Sequence, residues 1–241
     1  FSVSKELVQL FEEKVHAKMV ILKSGDAGEA LNKAILSKNN PLADIFYGVD
    51  NTFLSRAVKA EIFVPYAPVN LDLVDPKLKQ DSLNALVPVD FGDVCLNYDI
   101  KWFEKNNLAP PAMLEDLIKP EYKGLTVVEN PATSSPGLAF LLATISRFGQ
   151  EGYIDYWQKL KANDVLVTNG WKEAYWGKFS AASEGDRPIV VSYASSPAAE
   201  VFYSETKLEK APTDIVIENG SAFRQIEFAG ILKGTSQMEL A

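Results

Sequence analysis

The run Glu129-Asn-Pro-Ala-Thr-Ser-Ser-Pro-Gly137 sets three hydroxyls, Thr133, Ser134 and Ser135, directly before a proline. An apolar, β-like stretch (125–129) precedes it and an apolar helical stretch (138–148) follows, so the hydroxyls stand on a strand-to-helix turn. Proline suits the first helical position, because its missing N–H has no helical partner there. The free N–H groups of that turn, with the positive end of the helix dipole, can hold a hydroxyl or a phosphate. The same residues also suit an ordinary hydroxyl N-cap. Four further motifs carry polar or aromatic groups at strand ends: Gly48-Val-Asp-Asn51, Val87-Pro-Val-Asp-Phe-Gly92, Thr168-Asn-Gly-Trp171 with Glu173-Ala-Tyr175, and Val191-Ser-Tyr-Ala-Ser-Ser-Pro197. Trp171 and Tyr193 offer aromatic faces that attract a cation, a contact worth about 0.5–2 kcal/mol. Asp50 and Asp90 could neutralise such a charge or accept from an amino group. By periodicity Trp171 fits a core position equally well, and Tyr175 fits one better.

Other chemistries find less support. Asp90 and Asp93 could form an acid–base pair. There is no G-x-S-x-G, Walker or G-x-G-x-x-G motif. One histidine, His16, and one cysteine, Cys95, exclude the familiar zinc spacings, while an all-oxygen metal site stays open. His16 has no triad partner in the pattern, and Cys95 lies among apolar residues as a buried free thiol would. The 241 residues are 47% hydrophobic and 23% charged, enough for a large core or two lobes. A net charge of -8 without a Lys/Arg stripe argues against nucleic acid and anionic membrane surfaces. No apolar run reaches transmembrane length. The chain opens at Phe1 without a methionine, as a mature or trimmed chain would.

The elements that must position these groups alternate. Helical spacing predicts a helix over 5–14, then a buried strand over 18–22. A second helix starts at Asp26, with Asp26 and Glu29 spaced as a capping box. A strand over 42–49 leads into the turn Asp50-Asn51 and a helix through Val58. After a Pro-rich stretch come a strand over 90–98, a helix over 113–118, the strand and helix flanking Pro136, and a helix over 152–161. A strand over 165–168, a helix over 172–180 and a strand over 188–193 follow. The section 214–232 has β character around the turn Glu218-Asn-Gly220, and 236–241 reads as the first turn of a helix. Such alternation signifies an α/β sheet with ligands at the carboxyl ends of strands.

In order and spacing, the five motifs resemble the periplasmic thiamine-binding proteins of ABC importers, within the two-lobed (type II) solute-binding proteins. The sharpest parts are T-S-S-P-G-L from Thr133, N-G-W-x-E-A-Y from Asn169 and S-Y-x-x-S-P from Ser192. The likeness runs along nearly the whole chain. It implies capture rather than catalysis, with no cofactor and no metal. The implied fold is α/β, two-lobed and periplasmic-binding-protein-like, with hinge strands crossing near Val89–Val94 and Val191–Ser195, and lacking the family's C-terminal helices in this chain. Residues 1–89 and 196–241 would build lobe one and residues 90–195 lobe two, closing on the ligand by hinge bending. The ligand would be thiamine or a thiamine phosphate, held by Ser2, Asp50, Asn51, Asp90, Ser134, Ser135, Gly137, Trp171, Tyr193 and Ser196. The partner would be an importer's membrane permease. The protein would be a monomer, periplasmic or otherwise extracytoplasmic, free or lipid-anchored. Ala199 stands where related thiamine binders carry a stacking tyrosine. Another small solute, or an enzyme on a similar scaffold using Asp90 and Asp93, is the alternative.

Overall fold

The computed structural model describes residues 3–241. Its strands are β1 (Ile45–Asp50), β2 (Phe63–Val64), β3 (Val87–Asp99), β4 (Thr126–Glu129), β5 (Leu166–Thr168), β6 (Ile189–Tyr193), β7 (Thr213–Ile215) and β8 (Phe223–Leu232). Its α-helices are α1 (Lys5–Val15), α2 (Ala27–Leu36), α3 (Leu54–Lys59), α4 (Ile100–Asn106), α5 (Ser135–Ala162), α6 (Trp171–Glu173) and α7 (Ser196–Phe202). The strands follow one hydrogen-bonded path, β1-β8-β3-β6-β4-β5, with β2 beside β8 and β7 beside β3. β4 runs parallel to β5 and β6, and Val127, Val128, Val190 and Val191 are fully buried. Near-continuous β-branched runs are what strands covered on both faces require.

The core under this sheet is divided. Leu31, Val49, Phe53, Leu86, Ile226 and Phe228 form one cluster around β1 and β8. Leu96, Phe103, Leu117, Phe140, Leu160 and Ile189 form another around β6, β4 and α5. Each such side chain contributes about 1.5–3 kcal/mol on burial, so each half has its own apolar support. Two long strands join the halves. β3 pairs with β8 from Val87 to Val94 and with β6 from Val94 to Tyr98. At the Val94 end of that pairing β8 has Phe223 against the second cluster, while its Ile226, Phe228 and Leu232 belong to the first.

β3 thus passes from one cluster to the other near Val94. A second passage does not fall at Val191–Ser195. There β6 stops, Ser196-Pro197 opens α7, and β7 hydrogen-bonds to β3 at Asn97–Asp99. The Glu200 carboxylate of α7 accepts from Thr213 Oγ1 and Tyr175 Oη, which fastens α7 to the second half. The chain after residue 195 stays with that half until β8 carries it back, so the boundary expected at residue 196 moves to β8.

Other expectations shift for local reasons. The segment 18–22 forms no strand: it pairs with no other described strand, and Val20, Ile21 and Leu22 are exposed. α2 starts after Asp26 as expected, but no capping box forms, because Glu29 pairs with Lys33 and Asp26 turns elsewhere. α4 was not foreseen; Asp99 caps it by accepting from the Trp102 N–H. The helix expected over 113–118 is a 3-10 turn, Leu114–Ile118. The two helices expected after Pro136 are one element interrupted at Gly149, whose φ of 74° and ψ of 172° break the helical path. The last residues form a hydrogen-bonded turn on Gln237.

Candidate functional site

The site lies where the carboxyl ends of β1, β4, β5 and β6 meet the middle of β3 and β8. Asp50, the last residue of β1, is 1% exposed. Its Oδ1 accepts from the Thr52 N–H at 2.7 Å, and its Oδ2 accepts from Ser135 Oγ on the first turn of α5. Burial raises its pKa against the lowering effect of those donors. A protein carboxylate from one half thus occupies the anion-binding end of a helix in the other. Asn51 fixes the same corner, donating to Arg224 O at 3.0 Å and accepting from the Ile226 N–H at 3.1 Å. It braces β1 against β8.

Of the three hydroxyls before Pro136, two are engaged internally. Thr133 Oγ1 donates to Asn169 O at 2.6 Å, and Ser135 serves Asp50. Ser134, fully buried, makes no side-chain cap bond, and its Oγ has no partner. Gly137 serves packing: a Cβ there would stand 2.4 Å from Glu129 O, so only glycine lets α5 pass this close to β4. Glu129 itself is fully buried, and neither carboxyl oxygen has a hydrogen-bond partner. Burial, with Asp26 nearby, raises its pKa well above the ordinary glutamate value.

The aromatic side is a cluster. The turn into α6 delivers Trp171, whose N–H donates to Asp26 Oδ2 at 2.9 Å and whose Nε1 donates to Ser192 Oγ at 2.9 Å. Ser196 Oγ lies 3.0 Å from Ser192 Oγ, so its role is to hold the serine that holds Trp171. Tyr175 stacks on Trp171 with centroids 5.0 Å apart and planes 22° apart, and is itself buried. Tyr193 lies 6.4 Å from Trp171 at 58°. The two rings meet as the sides of a corner, not as opposite walls around a flat ligand. Trp176, in the π-helical turn Ala174–Lys178, is 54% exposed and edge-on to Trp171. Such turns are found frequently at functional sites.

Across the hinge strands, Asp50 faces Glu227 in the β1–β8 register, and Glu227 faces Asp90 in the β8–β3 register. Three carboxylates thus share one cross-strand row, an arrangement that opposes its own charging. Burial and those two neighbours push Glu227 up to about 7. Asp90 accepts from Tyr47 Oη at 2.7 Å. Asp93 belongs to the opposite face, where Arg224 grips it with two bonds of 2.5 and 3.0 Å. Asp90 and Asp93 therefore point apart and form no acid–base pair. Gln225 joins the row to the aromatic cluster, its Nε2 donating to Glu227 Oε1 at 2.9 Å and to Tyr193 Oη at 3.4 Å. Ser2 lies outside the described residues.

Asp50, Asp90, Trp171 and Tyr193 thus border one region; Asn51, Gly137 and Ser196 support it. Asp26, Glu129, Gln225 and Glu227 were missed. The alternation Gln225-x-Glu227 within a β run was the available signal, since it puts two polar groups on one face. Asp26 was read as a helix cap, and its spacing gives no sign of Trp171, 145 residues away. Among the described residues, no three His, Cys, Asp or Glu side chains are placed to hold a metal ion, and no helix is long and apolar enough to cross a membrane.

A two-lobed α/β sheet with its polar and aromatic groups gathered at strand ends defines a solute-binding class. The chain belongs to the bacterial extracellular solute-binding proteins, whose family model matches residues 40–241. That family binds rather than transforms its solutes. The chain is 31% identical over 96% of its length to the "Thiamine-binding periplasmic protein" of Salmonella typhimurium, and spans 66% of that relative. Among solved structures, a "Periplasmic thiamin binding protein" matches with a TM-score of 0.81 and 29% identity, over 97% of this chain and 69% of that one. A periplasmic binding protein from Actinobacillus pleuropneumoniae with fructose-6-phosphate bound shares the fold, with a TM-score of 0.82 and 22% identity over 96% of this chain and 70% of that one.

Proposed function

We propose that this chain is the capture component of a bacterial ABC importer and takes up thiamine in the periplasm. It holds the ligand between two lobes as a monomer and presents it to a membrane permease. Lobe one comprises residues 3–93 and 224–241, and lobe two residues 94–223, with β3 and β8 as the hinge. The observation that carries the reading is the meeting of the carboxylates of Asp50, Glu227 and Asp90 with the Trp171–Tyr193 corner. A thiazolium is a delocalised cation that needs both an aromatic face and nearby negative charge. The names of the relatives support the same ligand.

A phosphate ester is the second form of this ligand, and α5 bears on it. Asp50 already fills the helix N-terminus where a phosphate would sit, and Ser134 alone keeps a free hydroxyl there. Thiamine should therefore bind at least as tightly as its monophosphate. Thermal unfolding with each compound is the direct test. At 100 times its dissociation constant, a ligand adds about 2.7 kcal/mol. A stabilisation by the monophosphate alone would reverse the order argued from Asp50; none by either would reject the ligand class.

A further inference from the structure

We infer that the carboxylate row Asp50–Glu227–Asp90, with the Gln225 amide beside it, is a cation subsite that exchanges a proton for the ligand's charge, Glu227 being the group that gives the proton up. This deepens the proposed function and rests on the ligand being a fixed cation.

Acidic side chains in a row would not alone make a site. The independent observation is Gln225, which is 2% exposed and whose Oε1 has no partner. Its Nε2 is committed to Glu227 and Tyr193, so the orphaned carbonyl of the same amide lies among these groups. A buried carbonyl without a donor costs on the order of 1–3 kcal/mol, and a donor or a positive edge brought by a ligand would offset it.

Among the described residues, the charged side chains that act on Glu227 are carboxylates, and the chain's N-terminal charge opposes them only in part. Asp50 comes from β1 and Asp90 from β3, and the hydroxyl nearest it through Gln225 is that of Tyr193 on β6. Glu129, at the end of β4, acts on Tyr193. Ser135 of α5 and Tyr47 of β1 donate to Asp50 and Asp90 but bring no charge. Arg224, on the same strand, faces the other way and is held by Asp93. Burial first, then Asp90 and Asp50, outweigh the Gln225 hydrogen bond and the N-terminal charge and push Glu227 up to about 7 in the free protein. A fixed positive charge entering the row favours the ionised form, so binding drives the proton from the Glu227 carboxyl into solvent. Three carboxylates that repel one another when empty then share one counter-charge.

The test is titration calorimetry of the intact chain with thiamine, in buffers of different ionisation enthalpy, between pH 6 and pH 8. The inference expects release of about half a proton per ligand at pH 7, and binding about tenfold weaker at pH 6 than at pH 8, as the linkage of one group near 7 requires. Glu227→Gln should abolish the release and flatten the profile. An uncharged isostere, with thiophene replacing thiazolium, should release no proton from the wild-type chain. If Glu227→Gln fails to fold, the wild-type profile and the isostere still decide. Thiamine binding that is flat across this range, or proton release unchanged in Glu227→Gln, overturns the inference and leaves the proposed ligand standing. A folded chain that ignores thiamine at millimolar concentration overturns both.

Discussion

Trp171 concentrates most of what single residues contribute to the site. Its backbone N–H is tied to Asp26 in one half of the molecule, its indole N–H to Ser192 in the other, and one face is covered by Tyr175. It is therefore locked before any ligand arrives, so little side-chain entropy remains to be lost on binding. Trp171→Ala should weaken thiamine binding tenfold or more, since 1.4 kcal/mol is a factor of ten and an aromatic–cation contact reaches about 2 kcal/mol when desolvated. Trp171→Phe keeps an aromatic face but loses the bond to Ser192, and should fall between. Calorimetry on the two variants separates the ring's contribution from its anchorage; equal losses would mean that positioning dominates. At this scale the sequence was partly legible. Trp171 and Tyr193 announce themselves as large aromatics after strand-end turns, and Asp50 and Asp90 as acids beside them. The partners of each were hidden, because Ser135 reaches Asp50 over a separation of 85 residues and no local pattern encodes that contact.

Among the elements, α5 shows how a packing constraint and a backbone break together aim a helix. Its first turn must slide against β4, which only the bare Gly137 permits, and its path must change at Gly149. The conformation there, φ 74° and ψ 172°, is open to glycine and strained for any other residue. Nothing lies within 4 Å of a Cβ built at Gly149, so a substitution would test backbone strain free of any clash. Gly149→Ala should lower stability by about 1–3 kcal/mol with ligand affinity nearly unchanged in the folded fraction. Denaturant unfolding and a thiamine titration on the same preparation check this; an unaffected midpoint would show that the break is not held by the fold. Most elements were legible from periodicity: α1, β1, β3, β4, β6 and β8 stand close to where the apolar spacing put them. The failures have physical causes. The residues 18–22 look like a strand because they are apolar, yet a strand also needs a neighbour, which composition cannot report. β7 looks like part of the next strand, and only its pairing with β3 reveals that the chain has not yet crossed back.

Taken as a whole, the molecule stores unfavourable charge at the junction of its halves, and this gives its stability a pH dependence of definite sign. Glu227 moves from an ordinary 4.5 to about 7 on folding, and burial moves Asp50 and Glu129 in the same direction. A carboxyl raised in the folded state binds more protons folded than unfolded. The stability it confers is complete below its unfolded pKa and is lost as pH rises through the folded one. For Glu227 that loss spans roughly pH 4.5 to 7, and the raised Glu129 adds to it in the same sense. The chain has one histidine, so few opposing groups titrate near neutrality. The free protein should therefore melt at lower temperature at pH 8 than at pH 6, and Glu227→Gln should raise the pH 8 value toward the pH 6 one. Thiamine should act in the opposite sense, stabilising more at pH 8, where the carboxylate row is ready to receive a cation. Both trends are read from one set of melting curves, recorded with and without ligand at both pH values, in which the gap between the two should be wider at pH 8. A free protein that gains stability from pH 6 to pH 8 would mean that these carboxyls are ionised in the folded state, and that the charge at the hinge is neutralised by other groups.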